Sequence, residues 1–302
     1  MGRGLRTALA AACAFTLLPS GLAAAAPAAC PGAGAPSLVV RDGGALESAA
    51  FDGAGRLLYG DLSNNRLRAV DAPGAAPRTV ARVTAPGGIA ALPGGDVVVT
   101  SGNAVSAFLP RGASVLRVDP AAGAGAASVV ADGLIGANGL ARAADGSIFT
   151  SDPVAGAIDR VWPDGRVQRR WRRGGTPNGL AVSADGATLY ANLSFEGRIV
   201  AIDIATGATR TVARAPADRR LAVLDGLAID GAGNLYATAY LAGEVWRITP
   251  DGAICALARG LRAPTAVAVQ PPAGAFSPTT AYVTTLGAVR AIPGAVPAPP
   301  AS

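Results

Sequence analysis

The chain has 302 residues, half of them hydrophobic and 15% charged, with 40 Gly, 23 Pro and a formal net charge of +6. That balance excludes a disordered chain and favours many short elements and turns over long helices. There is no His, and all 26 basic residues are Arg, which excludes a Ser-His-Asp or Cys-His triad, a His-ligated zinc and a Lys Schiff base.

Residues 1–28 have the order of a secretory signal: Arg3 and Arg6, an apolar stretch over 7–18, then small residues up to Ala26-Pro27-Ala28. The apolar stretch is too short to span a bilayer, and no later run is longer. The expected protein is therefore secreted or extracytoplasmic, with no membrane span. Cys13 would leave with the signal, so Cys30 and Cys255 remain. Two cysteines in an exported chain predict one disulfide between them.

From residue 47 onward the chain repeats. A first strand begins at Glu47, Gly87, Asn138, Asn178, Asp225 and Thr265, at spacings of 40, 51, 40, 47 and 40 residues. A second apolar strand follows each start, as in Leu57-Leu58-Tyr59 and Leu189-Tyr190-Ala191, after turns such as Ala184-Asp185-Gly186. Third strands are expected at 67–70, 115–118, 158–161, 199–202, 245–248 and 289–292. Fourth strands are expected at 79–83, 129–131, 166–171, 210–213 and 254–258, with none in the sixth repeat. Four short strands per repeat predict an all-β fold, a six-bladed β-propeller with four-stranded blades. The segment 37–41 has no other partner, so it is expected to supply the missing strand of blade six and close the ring. The expected organisation is a signal peptide at 1–28, a propeller at 29–292 and a disordered Pro/Ala tail at 293–302. One basic stretch, 169–173, suits either an anionic surface or a solvated outer strand. Nucleic acid is not an expected partner.

Equivalent strand starts lie at one height around a propeller channel. Glu47, Asn138, Asn178 and Asp225 would thus form a ring of two carboxylates and two amides, a hard oxygen set that suits Ca²⁺, with Mg²⁺ or Mn²⁺ as alternatives. The competing reading is that Asn-Gly and Asp-Gly are simply turn pairs.

Three segments carry a resemblance: Glu47-Ser48-Ala49-Ala50-Phe51-Asp52, the Pro177-Asn178-Gly179-Leu180 run ending at Asp185-Gly186, and Leu224-Asp225-Gly226-Leu227. With them the chain resembles the senescence marker protein (regucalcin)/gluconolactonase family of six-bladed propellers. The resemblance implies that Glu47, Asn178 and Asp225 bind a divalent cation, that Asn138 contacts substrate or metal, and that the substrate is a small lactone or ester. Gly136 stands where the sugar lactonases of this family carry an arginine. The expected function is an exported metal-dependent hydrolase, with Asp225 as proton acceptor. The alternatives are a non-catalytic propeller of the NHL type that binds a ligand or a cell-envelope partner, and strictosidine-synthase-like chemistry. The latter would need a channel glutamate, for which only Glu196 and Glu244 are left besides Glu47.

Overall fold

The computed structural model describes residues 26–103, 112–123, 125 and 127–298. The leader-like residues 1–25 and the tail residues 299–302 lie outside the described residues. Strands supply nearly all the regular structure of the described chain, and its 3-10 turns at Leu62–Asn64 and Ala217–Arg219 are short. Among the described residues, no helix is long and apolar enough to cross a membrane.

Five repeats each make a four-stranded antiparallel sheet. The first holds β1 (Ser37–Phe51), β2 (Leu57–Asp61), β3 (Arg66–Val70) and β4 (Arg78–Arg82). The second holds β5 (Ile89–Ala91), β6 (Val97–Ser101), β7 (Ala113–Val118) and β8 (Ser128–Leu134). The third holds β9 (Leu140–Arg142), β10 (Ile148–Asp152), β11 (Ala157–Val161) and β12 (Val167–Arg173). The fourth holds β13 (Pro177–Val182), β14 (Thr188–Leu193), β15 (Arg198–Asp203) and β16 (Thr209–Arg214). The fifth holds β17 (Leu224–Ile229), β18 (Leu235–Ala239), β19 (Glu244–Ile248) and β20 (Ile254–Ala258).

The expected count of six separate four-stranded blades is corrected here: there are five. The sixth repeat contributes only β21 (Ala266–Ala268) and one long strand, β22 (Ala281–Ile292). Both are fused with the first repeat into a single six-stranded sheet, ordered β21-β22-β1-β2-β3-β4. The cause is that β1 is continuous. Its early residues pair with β22, from Ser37 opposite Ala291 to Ala45 opposite Leu286, and its later ones pair with β2, from Leu46 opposite Asp61 to Phe51 opposite Leu57. Gly43-Gly44 makes the crossing. Gly44 has φ 127°, and a Cβ there would lie 2.8 Å from Ser63 Oγ, so the strand passes too close to the first blade's loop for a side chain.

Apolar clusters fill the spaces between sequence-neighbouring repeats. Trp246 of the fifth blade packs with Leu224, Leu227 and Ile199, while Tyr59, Tyr282, Phe276 and Val289 pack where the sixth repeat meets the first. Each sheet therefore buries both faces, which explains strands such as β2, β6, β10 and β18 that are buried along their whole length.

The N-terminal segment also covers an edge. Ala29 bridges Ala256 of β20 in parallel, the Cys30 N–H donates to the Ala256 carbonyl at 2.9 Å, and the Ala256 N–H donates to the Ala28 carbonyl at 2.7 Å. Cys30 and Cys255 form a disulfide across 225 residues of sequence. Ala295 and Val296 are buried in the same cluster as Cys30. Replacing both cysteines by Ser should cost roughly 2–5 kcal/mol. A thermal melt reads this as a fall of several degrees, and an unchanged melting temperature would show that the edge contacts alone hold the segment.

Candidate functional site

The first strand of every repeat lines the channel, and each strand start is followed by a residue that must be small. In Asn138-Gly139, Asn178-Gly179 and Asp225-Gly226 none of the glycines has positive φ, so these pairs are not turns. They are close-approach positions. A Cβ on Gly179 would lie 2.5 Å from the Asp225 carbonyl oxygen, and one on Gly226 would lie 2.5 Å from Ala266 Cα. A Cβ on Gly139 would fall on the carbonyl oxygen of Asn178. The inner strands thus converge until backbone meets backbone.

A belt of side chains from the second strands fixes this convergence. Ser151 Oγ accepts from the Gly139 N–H at 2.8 Å and donates to the Asn178 carbonyl of the next blade at 2.6 Å. Asn192 Oδ1 accepts from the Gly179 N–H at 3.0 Å, while its Nδ2 donates to the Asp225 carbonyl at 2.5 Å. Thr238 Oγ1 accepts from the Gly226 N–H at 2.7 Å and donates to the Thr265 carbonyl at 2.9 Å. Thr100 donates to the Asn138 carbonyl at 2.9 Å. The same pattern closes at the sixth repeat, where Thr284 Oγ1 accepts from the Ala266 N–H at 3.0 Å and Thr265 Oγ1 donates to the Leu46 carbonyl at 2.8 Å. Sequence reasoning missed this belt. Its signal was present as a polar residue near the end of five of the six apolar second strands: Thr100, Ser151, Asn192, Thr238 and Thr284.

Glu47 is aimed differently. The register of β1 slips between Glu47 and Ala49, and Ser48 sits in the left-handed region at φ 55° with its hydroxyl donating to the Glu47 carbonyl at 2.6 Å. This bulge breaks the alternation of the strand and turns the glutamate into the channel.

The result is one small cavity of about 60 Å³ lined by Glu47, Asn138 and Asn178, with Gly226 next to Asp225 also on its wall. Burial raises the Glu47 carboxyl well above the ordinary glutamate range, and the negative charge of Asp225 adds to the rise. Burial likewise pushes Asp225 up to about 7, against a hydrogen bond from Asn178 that favours its ionised form. No Arg pairs with either carboxylate among the described residues, although Asp52, Asp61 and Glu244 each have one. The Asn138 side chain makes no hydrogen bond to the described residues, which leaves its amide open to the cavity. The hydroxyl of Thr265 is consumed by the belt. No three His, Cys, Asp or Glu side chains come together among the described residues, so the cluster is two carboxylates completed by amides.

The two remaining glutamates stand elsewhere. Glu196 is exposed and accepts from Thr176 Oγ1 at 2.7 Å, whereas Glu244 is buried against Arg219 and Trp246. The loops at the channel end that holds Glu47 and Asp225 carry exposed apolar side chains, among them Val154, Phe195, Leu221 and Leu241.

Comparison with known proteins agrees with this architecture. The model of the SMP-30/Gluconolactonase/LRE-like region matches residues 47–287. The chain belongs to this family. Among solved structures it is similar to a gluconolactonase from Xanthomonas campestris (21% identity, 92% of this chain and 98% of that one, TM-score 0.67). It is also similar to a calcium-binding protein, regucalcin, from Agrobacterium tumefaciens (16% identity, 84% and 92%, TM-score 0.67). A luciferin-regenerating enzyme is similar as well (16% identity, 86% and 95%, TM-score 0.66). At these identities the likeness is one of fold. No curated protein matches the chain.

Two predictions come from this geometry. Gly179→Ala should abolish folding or lower the melting temperature sharply, because the new Cβ meets backbone on the neighbouring strand; a melt matching that of wild type would contradict the close approach. The second concerns pH. Both carboxyls bind protons more tightly folded than unfolded, so between about pH 4 and pH 7 the native state holds more protons and stability falls as pH rises. Metal-free protein should therefore melt lower at pH 8 than at pH 5, and Asp225→Asn should flatten that slope.

Proposed function

We propose that this family member is an exported, divalent-cation-dependent hydrolase of a small lactone or ester. The observation that carries the reading is the meeting of Glu47 and Asp225 in the channel with no cationic side chain among the described residues to neutralise them. Two carboxylates so placed either retain protons or hold a cation. With Asn138 and Asn178 the donors are all hard oxygens, a set that suits Ca²⁺ and accommodates Mg²⁺ or Mn²⁺, with water completing the shell. Membership of the gluconolactonase-like family supports the reaction class. The disulfide supports an oxidising compartment, and so a location outside the cytoplasm.

In this reading Glu47, Asn178 and Asp225 hold the cation. When bound, the cation would polarise the substrate carbonyl and lower the pKa of water. Asn138 donates its amide N–H groups to the carbonyl oxygen of the substrate and to the negative charge that develops there. Asp225 takes the proton of the attacking water on a carboxylate oxygen and returns it to the leaving alcohol, so ring opening consumes one water and releases one hydroxy acid. The apolar loops at this end suit a substrate that carries an apolar substituent.

The test is a panel of lactones and aryl esters assayed with and without Ca²⁺. Asp225→Asn should lower kcat by about 10²–10⁴-fold, the usual contribution of a positioned base. Turnover that survives both the substitution and a chelator would reject the mechanism. Ca²⁺ binding with no turnover on any substrate would favour a binding propeller instead.

A further inference from the structure

The basic stretch at 169–173 plays no part in the channel site. It lies on β12, the outer strand of the third blade, and its course is irregular. Arg170 sits at φ 53°, and its N–H donates to Asp159 Oδ1 at 2.5 Å where the register between β11 and β12 slips. This bulge turns Trp171 inward, with its ring 4.7 Å from that of Phe149, against the apolar cluster shared by the third and fourth blades. Arg172 and Arg173 then stand over the gap between those blades.

That gap is a groove of about 330 Å³. Arg198 of β15 and Arg210 of β16 enter it from the fourth blade, opposite Arg172 and Arg173. No carboxylate among the described residues lines it. Among the described residues none of these four guanidinium groups is in an ion pair, whereas Arg56, Arg66, Arg117, Arg160 and Arg219 each face an Asp or Glu. The groove therefore gathers four positive charges around one cleft. The hydroxyls of Thr209 and Thr211 border the same groove, while Ile158, Val200 and Ile202 make an apolar floor.

We propose that this groove binds a phosphate ester: a multiply charged oxyanion joined to an apolar body. Planar guanidinium forks match phosphate oxygens in pairs, and unpartnered arginines across a cleft supply charge that a single surface arginine cannot. The volume lies at the small end of the range for ligand pockets, enough for a phosphate and a small ring or the glycerol portion of a lipid headgroup. The site is distinct from the channel, so it stands or falls independently of the proposed hydrolase activity.

The experiment is calorimetric titration of chelator-treated protein with phenyl phosphate at low salt. Saturable one-to-one binding is expected, weakening as salt is raised. Arg198→Gln and Arg210→Gln should each weaken it at least tenfold, while Arg169→Gln, on the same strand but outside the groove, should leave it unchanged. Arg210 lies on an exposed outer strand, so its variant keeps the test valid if Arg198→Gln fails to fold. Sedimentation with phosphatidylglycerol vesicles distinguishes the sources. Vesicle binding lost in the groove variants assigns a lipid headgroup, and no vesicle binding alongside intact phenyl phosphate binding assigns a soluble ester. Absence of saturable binding to the wild type, or an equal loss in Arg169→Gln, overturns the proposal.

Discussion

The structure depends on one recurring hydrogen-bonded link. In every repeat but the first, where Gly60 takes the place, a polar side chain near the end of the second strand accepts from an inner-strand N–H of its own repeat or donates to the inner-strand carbonyl of the next, and in Ser151, Asn192 and Thr238 it does both. These groups are buried, and a buried donor or acceptor left without a partner costs about 1–3 kcal/mol. The link therefore holds neighbouring sheets at one fixed offset. Because the carbonyls it grips belong to Asn138, Asn178 and Asp225, the interactions that close the ring also fix the height of the candidate ligands. The glycines beside those residues are the other half of the same device, since only a missing Cβ allows the inner strands to come within reach.

Much of the strand order was legible in the sequence because each strand is set locally. Apolar triplets, Asp-Gly turns and a spacing of 40 to 51 residues placed third and fourth strands within a few residues of where they lie. The blade count was not legible. It turns on whether 37–41 and 47–51 are two strands or one, which is decided by the passage of Gly43-Gly44 over Ser63 and by pairing with residues more than 240 positions away. The role of the Asn-Gly and Asp-Gly pairs was hidden for the same reason. Alone, such a pair suits a turn; its actual constraint is the backbone of the next repeat, seen only when the ring is assembled.

The repeats put Glu47, Asn138, Asn178 and Asp225 at equivalent strand starts, but the burial that raises the two carboxyls is visible only in the assembled channel. Glu47 and Asp225 meet at the channel, while Arg172, Arg173, Arg198 and Arg210 line the groove between the third and fourth blades. Some other charges are neutralised where they stand, as in the Arg56–Asp52 and Arg219–Glu244 pairs. The carboxyl pair in the channel and the arginine-lined groove each call for a partner of the opposite sign.

The most direct test of the central claim is to count the protons released when Ca²⁺ binds, by calorimetry at pH 6 in buffers of different ionisation enthalpy. If Glu47 and Asp225 together form the site, binding must displace the protons that their burial retains, and roughly one or more should be released per Ca²⁺. The number should fall in Asp225→Asn. Ca²⁺ binding with no proton release, or release unchanged by that substitution, would show that the two carboxylates do not share a cation.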